Sequence, residues 1–446
     1  MSMSSIHHKY TLVYILVLLV FTACSGDGYH DDDHFFDDPG VAECSLIGQN
    51  RFVFDVMDQW YLWNNTLPDI NPDNYNSPEA LLDALVVNAP VVDRFSYIAD
   101  QESSDAFFNQ GEFTGLGFTS QIIDGRLFLA LVFPGSPAEN SGMGRGFEIL
   151  AVDGIDVATT LANGNSVDFG SGEIGTAVDI EFADLNGDVF VTTVIKTTVH
   201  IDPVPASNII DNNGVVTGYL HLYTFIDPSF TALDATINDF NANGVEDVII
   251  DLRYNSGGLV SVAEHLAGLL GGNTTSGEIM YSQFFNAERA AENDVSVSFS
   301  NPSNALDLQR VVFITDSGSA SASELVINSL SPFLNVVIVG DTTFGKPVGQ
   351  FGFNFCGNTL FPVSFETVNA NGEGEYYDGL LADCPAGDDL SLQLGNPDEA
   401  SLAEALTYLS SGDCTPAAMN SKQSKTTLSN HTSIEMIQNW KPFNVH

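Results

Sequence analysis

The spacing of apolar positions changes character along the chain. From 52 to 62 (FVFDVMDQWYL) apolar and aromatic residues recur at three- and four-residue intervals, which predicts a helix. Ser77-Pro78-Glu79 offers a cap and a proline first turn for a second helix reaching Val86. After Gly115-Leu116-Gly117-Phe118 the pattern becomes strand-like, with strands expected at 126–133 and 147–152. A short helix capped by Ser136 lies between them, and a tight turn at Asp153-Gly154 follows. Beyond 201 strands and helices alternate. Strands are expected at 215–222, 245–252, 311–314 and 336–339, and helices at 228–240, 259–270 and 322–330. Such alternation predicts parallel strands joined by helical crossovers, with sites gathered beyond the strands' carboxyl ends. Two turns fall there, Asn255-Ser256-Gly257-Gly258 and 317–323. A strand-rich polar stretch, 351–395, precedes a last helix that Asn396 is placed to cap and Pro397-Asp398-Glu399 to open.

This divides the 446 residues into a small helical region (45–110), a β module (111–200), an α/β domain (201–414) and a polar tail (415–446) expected to be disordered. The N-terminus adds an address. Lys9 precedes thirteen apolar residues, TLVYILVLLVFTA, too few for an ordinary membrane span, and Cys24 follows at once. Phe21-Thr22-Ala23-Cys24 resembles a lipobox, which implies a signal peptide at 1–24, lipidation of Cys24 and an acidic flexible tether at 25–44. The expected location is extracytoplasmic, lipid-anchored to a bacterial membrane, at the outer membrane or cell surface.

Charge removes some partners. Fifty-eight acidic residues against thirteen basic ones give a net charge of −45, which repels nucleic acid and anionic headgroups. Without Cys24, four cysteines remain, Cys44, Cys356, Cys384 and Cys414, an even number that suits two disulfides in an exported protein. Cys356–Cys384 within one domain is the preferred pair, leaving Cys44–Cys414 to join the two ends of the folded part. No CxxC or histidine cluster offers a metal site, and no cofactor is expected.

The candidate chemistry lies in 311–350. Three serines compete in Gly318-Ser319-Ala320-Ser321-Ala322-Ser323-Glu324, one as nucleophile and one as helix cap, and the pattern does not rank them. A serine needs a base. Lys9 leaves with the signal, Lys422, Lys425 and Lys441 lie in the tail, and Lys196 reads as a solvent-facing residue of a strand-like run. Lys346, in TTFGKPVGQ, remains. It must be desolvated to lose its proton near neutrality, with Phe344 a contributor to the shielding. His221 reads as structural, and Trp60 and Trp63 as packing anchors in a region where no site is expected.

Two resemblances add to this. GLGF, SPAENSGM and ILAVDGIDV, in that order, resemble a PDZ domain, which implies that Gly115, Leu116, Gly117 and Phe118 receive a peptide's C-terminus. Together with GYLHLYTF, DLRYNSGG, GSASASE and FGKPVGQ, the stretch 110–410 resembles the carboxyl-terminal processing peptidases of family S41. That resemblance implies a layered ClpP/crotonase-like α/β core and a serine endopeptidase. It makes Ser321 the nucleophile, Lys346 the base twenty-five residues later and Gln350 the residue that orients it. Gly257 or Gly258, with the amide of Ala322, would form the oxyanion hole. The family's NPGG is NSGG here, with Ser256 in place of proline. The implied partner is a protein or peptide with a free C-terminus. A binding module that keeps the fold without the chemistry is the alternative, and the sequence leaves the oligomeric state open.

Overall fold

The computed structural model describes residues 43–416 and Ala418. Cys24, the signal segment, the tether up to residue 42 and most of the polar tail lie outside the described residues.

A six-stranded sheet forms the centre. Its order is Ala206–Asn212, Val215–His221, Asp247–Asp251, Arg310–Thr315, Asn335–Gly340 and Cys384–Pro385. The first pair is antiparallel and every later pair parallel. All five residues of Asp247–Asp251 are buried, as parallel strands covered on both faces require. Val248 and Ile250 point to one face, into a cluster with Leu233, Ile237, Leu266 and Val326 from the helices Pro228–Ala242, Val260–Thr275 and Ala322–Leu330. Ile249 and its neighbours Tyr219, Val312 and Ile314 point to the other, against Leu402, Ala405 and Leu409 of the helix Ala400–Ser411. The alternation read from the sequence thus becomes parallel strands between two helical layers.

A layered ClpP/crotonase-like core is not what results. Alternating strands and helices specify crossovers, but they say nothing of the sheets that pack against the central one. Here an antiparallel sheet runs Val295–Ser298, Ile279–Phe285, Val363–Asn369 and Val348–Gln350. Beside it the strand Tyr97–Asp100, from the N-terminal region, pairs with Asn358–Phe361, which pairs in turn with Phe353–Phe355. The N-terminal helix Leu46–Trp60 starts on Ser45, whose hydroxyl accepts from the Gly48 amide at 3.1 Å. It packs on that hairpin, with the Phe52 ring stacked 5.2 Å from Phe355 and Trp60 5.6 Å from Phe353. Ser77 caps the helix Pro78–Leu85 as expected.

The β module is a sheet ordered Phe118–Ile123, Arg126–Val132, Glu148–Val152, Ala177–Ala183 and Val189–Ile195. Its entry and exit strands, Glu112–Gly115 and Thr197–His200, pair with each other. Lys196 is not solvent-facing: it is 6% exposed, its ammonium donates to the Gly170 carbonyl, and burial lowers its pKa. Between module and α/β domain, the buried Arg145 donates to Ala130 O, Tyr254 Oη, Leu392 O and Asp388 Oδ1. Asp388 also accepts from Arg253, which pairs with Asp251 and Glu399 in the interior. Each of these charges is hydrogen-bonded within the network, the condition under which buried ions are tolerated.

Two further expectations are corrected. The last helix begins at Ala400 on a Glu399 cap rather than on Asn396, because the buried Glu399 carboxylate both accepts from the Leu402 amide and faces Arg253. The disulfides are Cys44–Cys356 and Cys384–Cys414, with Cα separations of 5.5 and 5.3 Å. Cys356 sits in the hairpin turn that meets the N-terminal helix. Cys384 lies on the central sheet's edge strand, beside the end of the last helix. A shared domain offers Cys384 two partners at similar separation, and the packing of the last helix beside the edge strand selects Cys414.

Closing the thirty-residue separation of Cys384 and Cys414 should stabilise the fold by about 3–4 kcal/mol through restriction of the unfolded chain. Replacing both by serine is expected to lower the denaturant midpoint by that equivalent, read by urea unfolding with and without reductant. The double variant should lose most of its sensitivity to reduction of this bridge.

Candidate active site

Two loops meet at the carboxyl ends of the central strands. The turn 252–258 follows Asp247–Asp251, and the loop 316–321 follows Arg310–Thr315. They are laced together. Ser319 Oγ donates to Leu252 O at 2.8 Å, Ala320 N to Asn255 O at 3.1 Å and Ser323 Oγ to Asn255 O at 3.1 Å. Asp316 accepts from the Tyr254 amide, while burial and then the nearby Asp388 push its pKa up to about 6.

This lacing distinguishes the three serines. Ser319 and Ser323 are wholly buried, with hydroxyls committed to backbone carbonyls. Ser321 is partly exposed, and its φ of 58° puts a non-glycine residue in the left-handed region, at about 1–3 kcal/mol. It stands at the start of the helix Ala322–Leu330, where backbone amides converge.

The glycine turn faces it. A side-chain carbon at Gly257 would lie 2.8 Å from Ser321 Cβ and 3.1 Å from Ala322 N, and one at Gly258 would lie 2.0 Å from Phe225 O. Only glycine fits at either place. The Gly257 amide donates to Asn255 Oδ1 at 2.9 Å, whereas the Gly258 amide has no protein acceptor among the described residues. Asn255 in turn donates through Nδ2 to Leu222 O, which fixes the turn to the neighbouring strand.

Lys346 is 3% exposed. Its ammonium donates to Gln350 Oε1 at 2.5 Å, and Gln350 Nε2 donates to Phe95 O and Phe361 O, each at 2.7 Å. Those two carbonyls dictate the amide's orientation and leave only its oxygen for the lysine. Desolvation lowers the Lys346 pKa to about 7, against the pull of the Asp93 and Glu324 carboxylates. The aromatic cover is Phe95, whose ring centre lies 5.9 Å from Nζ, with Phe344 stacked edge-on against it at 6.1 Å.

Glu324 joins the two halves. One carboxylate oxygen accepts from Thr343 Oγ1 (2.5 Å) and Gly345 N (2.7 Å), the other from Ser321 N (2.9 Å) and Lys346 N (2.8 Å). Its one signal in the sequence is the capping-box spacing of Ser321-Ala322-Ser323-Glu324. Phe95 comes from the N-terminal region, where no site is expected from the sequence. No sequence pattern signals a backbone carbonyl that bonds a residue 255 positions away. His221 is structural: it is fully buried, Nε2 lies 3.0 Å from Arg253 O, and burial lowers its pKa. The GLGF residues sit apart, in the β module, with Leu116 and Phe118 in its core. Among the described residues the one candidate metal cluster is Cys384, Glu404 and Cys414, whose sulfurs form a disulfide.

Residues 216–379 match Peptidase family S41, and residues 48–97 match the Peptidase S41 N-terminal domain. Over these two stretches the chain is similar to peptidase family S41. It is 26% identical over 291 residues to the carboxy-terminal processing protease CtpA of Bacillus subtilis (strain 168), covering 65% of this chain and 59% of that protein. It is 28% identical over 264 residues to a carboxyl-terminal-processing protease of Picosynechococcus (strain ATCC 27264 / PCC 7002 / PR-6), covering 58% and 61%. The chain thus spans about three fifths of the length of these curated relatives. A crystal structure from Bacteroides fragilis NCTC 9343, assigned to the S41 proteases, matches 80% of this chain and 97% of its own with a TM-score of 0.65 and 26% identity. The fold is accordingly the S41 α/β fold and not a ClpP/crotonase-like core.

A glutamine at 324 offers one acceptor oxygen where four donors converge, and its NH2 group would face two of them. Glu324→Gln is expected to cost about 2–5 kcal/mol and most of the hydrolytic activity, checked by urea unfolding and peptide hydrolysis.

Proposed function

We propose that this chain is a serine endopeptidase of the S41 kind in which Ser321 is the nucleophile and Lys346 the general base. The observation that carries this reading is the amine of Lys346, buried, fixed by Gln350 and pushed down to about 7, where a lysine can accept a proton. Lys346 Nζ takes the Ser321 hydroxyl proton as Oγ attacks the scissile carbonyl. The amides of Gly258 and Ala322 stabilise the resulting oxyanion, with Gly257 providing room rather than a donor because its amide is held by Asn255. Such donors contribute roughly 3–4 kcal/mol each to the transition state. The lysine then returns its proton to the leaving amine, and water releases the acyl group.

Recruitment is assigned to the β module. In this reading it is a PDZ-like domain whose loop, Gly115, Leu116, Gly117 and Phe118, receives a free C-terminal carboxylate while the peptide lengthens the sheet. The strand Phe118–Ile123 is at the sheet's edge, as strand addition requires. The names of the Bacillus and Picosynechococcus relatives fit carboxyl-terminal processing. Two disulfides suit an oxidising, extracytoplasmic compartment, and Cys24 would supply the lipid anchor.

Ser321→Ala and Lys346→Ala are each expected to lower hydrolysis of unfolded protein substrates about a thousandfold or more, and unchanged cleavage in both overturns the mechanism. Since the base works only when neutral, kcat/KM should rise with pH through about 7 and level off above it. Lys346→Arg should be inactive across that range. Peptides amidated at the C-terminus should bind the β module at least tenfold more weakly than those with a free carboxylate; equal binding removes the recruitment step.

A further inference from the structure

We propose that Asp93, Arg94 and Phe95, contributed by the N-terminal region, are positioning residues of the active centre, holding and shielding the lysine that the α/β domain supplies. The inference rests on the reading of Lys346 as base and assigns its environment to the stretch that matches the Peptidase S41 N-terminal domain, outside the 216–379 match that holds the lysine.

Each residue of the segment has a separate hold. The Phe95 carbonyl is one of the two acceptors that aim Gln350 at Lys346, and the Phe95 ring covers the lysine amine. Arg94 donates to Phe344 O at 2.9 Å and to Tyr377 O at 3.4 Å, and its guanidinium lies 4.3 Å from the Phe344 ring centre. It thereby grips the loop two residues before the lysine. Asp93 accepts from the amides of Phe95 and Ser96, the Ser96 hydroxyl and the Tyr61 hydroxyl, so the segment enters the site already folded. The segment is anchored on both sides, since Tyr97 pairs and stacks with Phe361 at 4.7 Å, and Cys44 is bridged to Cys356.

The charged groups facing the lysine come from three elements. Asp93 lies on this segment and Glu324 on the nucleophile's helix, and both favour the ammonium. Arg94 faces the Phe344 carbonyl, and Tyr61 and Tyr377 lie around Asp93. Shielding by Phe95 and attraction by Asp93 therefore act on the lysine in opposite directions. A merely structural contact would not produce that opposition.

The test measures the Lys346 midpoint twice on the full chain. One measurement is the pH profile of kcat/KM. The other uses no turnover: the lysine ε-carbon NMR titration in Ser321→Ala protein, with Lys346→Arg to assign the signal. Phe95→Ala should admit water and raise the midpoint by about one pH unit, whereas Asp93→Asn should lower it by a smaller amount. Phe95→Leu, apolar and less disruptive, should return most of the way to wild type; should the alanine variant not fold, Phe95→Val replaces it, and a Leu midpoint below the Val midpoint supports shielding. Folded Asp93 and Phe95 variants that titrate within about 0.3 unit of their parent overturn the inference. If the wild-type chain cleaves nothing but the NMR midpoints move as stated, the peptidase reading falls and the positioning role stands.

Discussion

One buried carboxylate holds the site together. Glu324 is fully buried and receives donors from the Ser321 amide, the Lys346 amide and two residues of the lysine loop, Thr343 and Gly345. It is an acceptor common to the helix start at Ser321 and the loop at 343–346, beside the direct bond from Phe344 N to Ser319 O. Burial raises its pKa while the four donors oppose that rise, so the same contacts that join the loops favour the carboxylate form. A carboxylate there also favours the Lys346 ammonium, against the proton loss that the proposed mechanism requires. Desolvation has to win, and the value near 7 indicates that it does so narrowly.

The Asn255 turn shows a similar economy. One side chain anchors the turn to the adjacent strand through its amide hydrogens and occupies the Gly257 amide through its oxygen. The backbone carbonyl of the same residue then receives both Ala320 N and Ser323 Oγ. The two loops are thus registered to each other before any substrate arrives, which is the preorganisation that oxyanion stabilisation requires. Serine at 256 in place of the family's proline falls in a stretch whose geometry is set by these neighbours.

Period and capping made much of the α/β domain legible in the sequence. The helix Ala322–Leu330 and the strands around it fall within a residue or two of where apolar spacing puts them. Lysine scarcity led to Lys346, because a chain with thirteen basic residues leaves few candidates. Choosing Ser321 needed family resemblance at first, but exposure and backbone conformation separate it from Ser319 and Ser323 independently. The features that stayed hidden are those where distant segments meet. Neither disulfide pairing, the Glu399 cap, the buried state of Lys196 nor the arrival of Phe95 at Gln350 has a local signature. Each depends on the antiparallel sheets and the N-terminal strand, whose partners no periodicity specifies.

The Phe95–Gln350 contact and the Cys44–Cys356 bridge also order events in time. The chain emerges from its N-terminus, so the segment that covers the lysine is made more than two hundred residues before the lysine itself. A nascent or truncated chain that ends at 350 contains Lys346 and Gln350 but lacks both the Phe361 carbonyl that helps aim Gln350 and the hairpin that receives the N-terminal strand. The covered, aimed state of Lys346 is therefore assembled only after the chain has been made through the hairpin at 353–361, however early its covering segment appears.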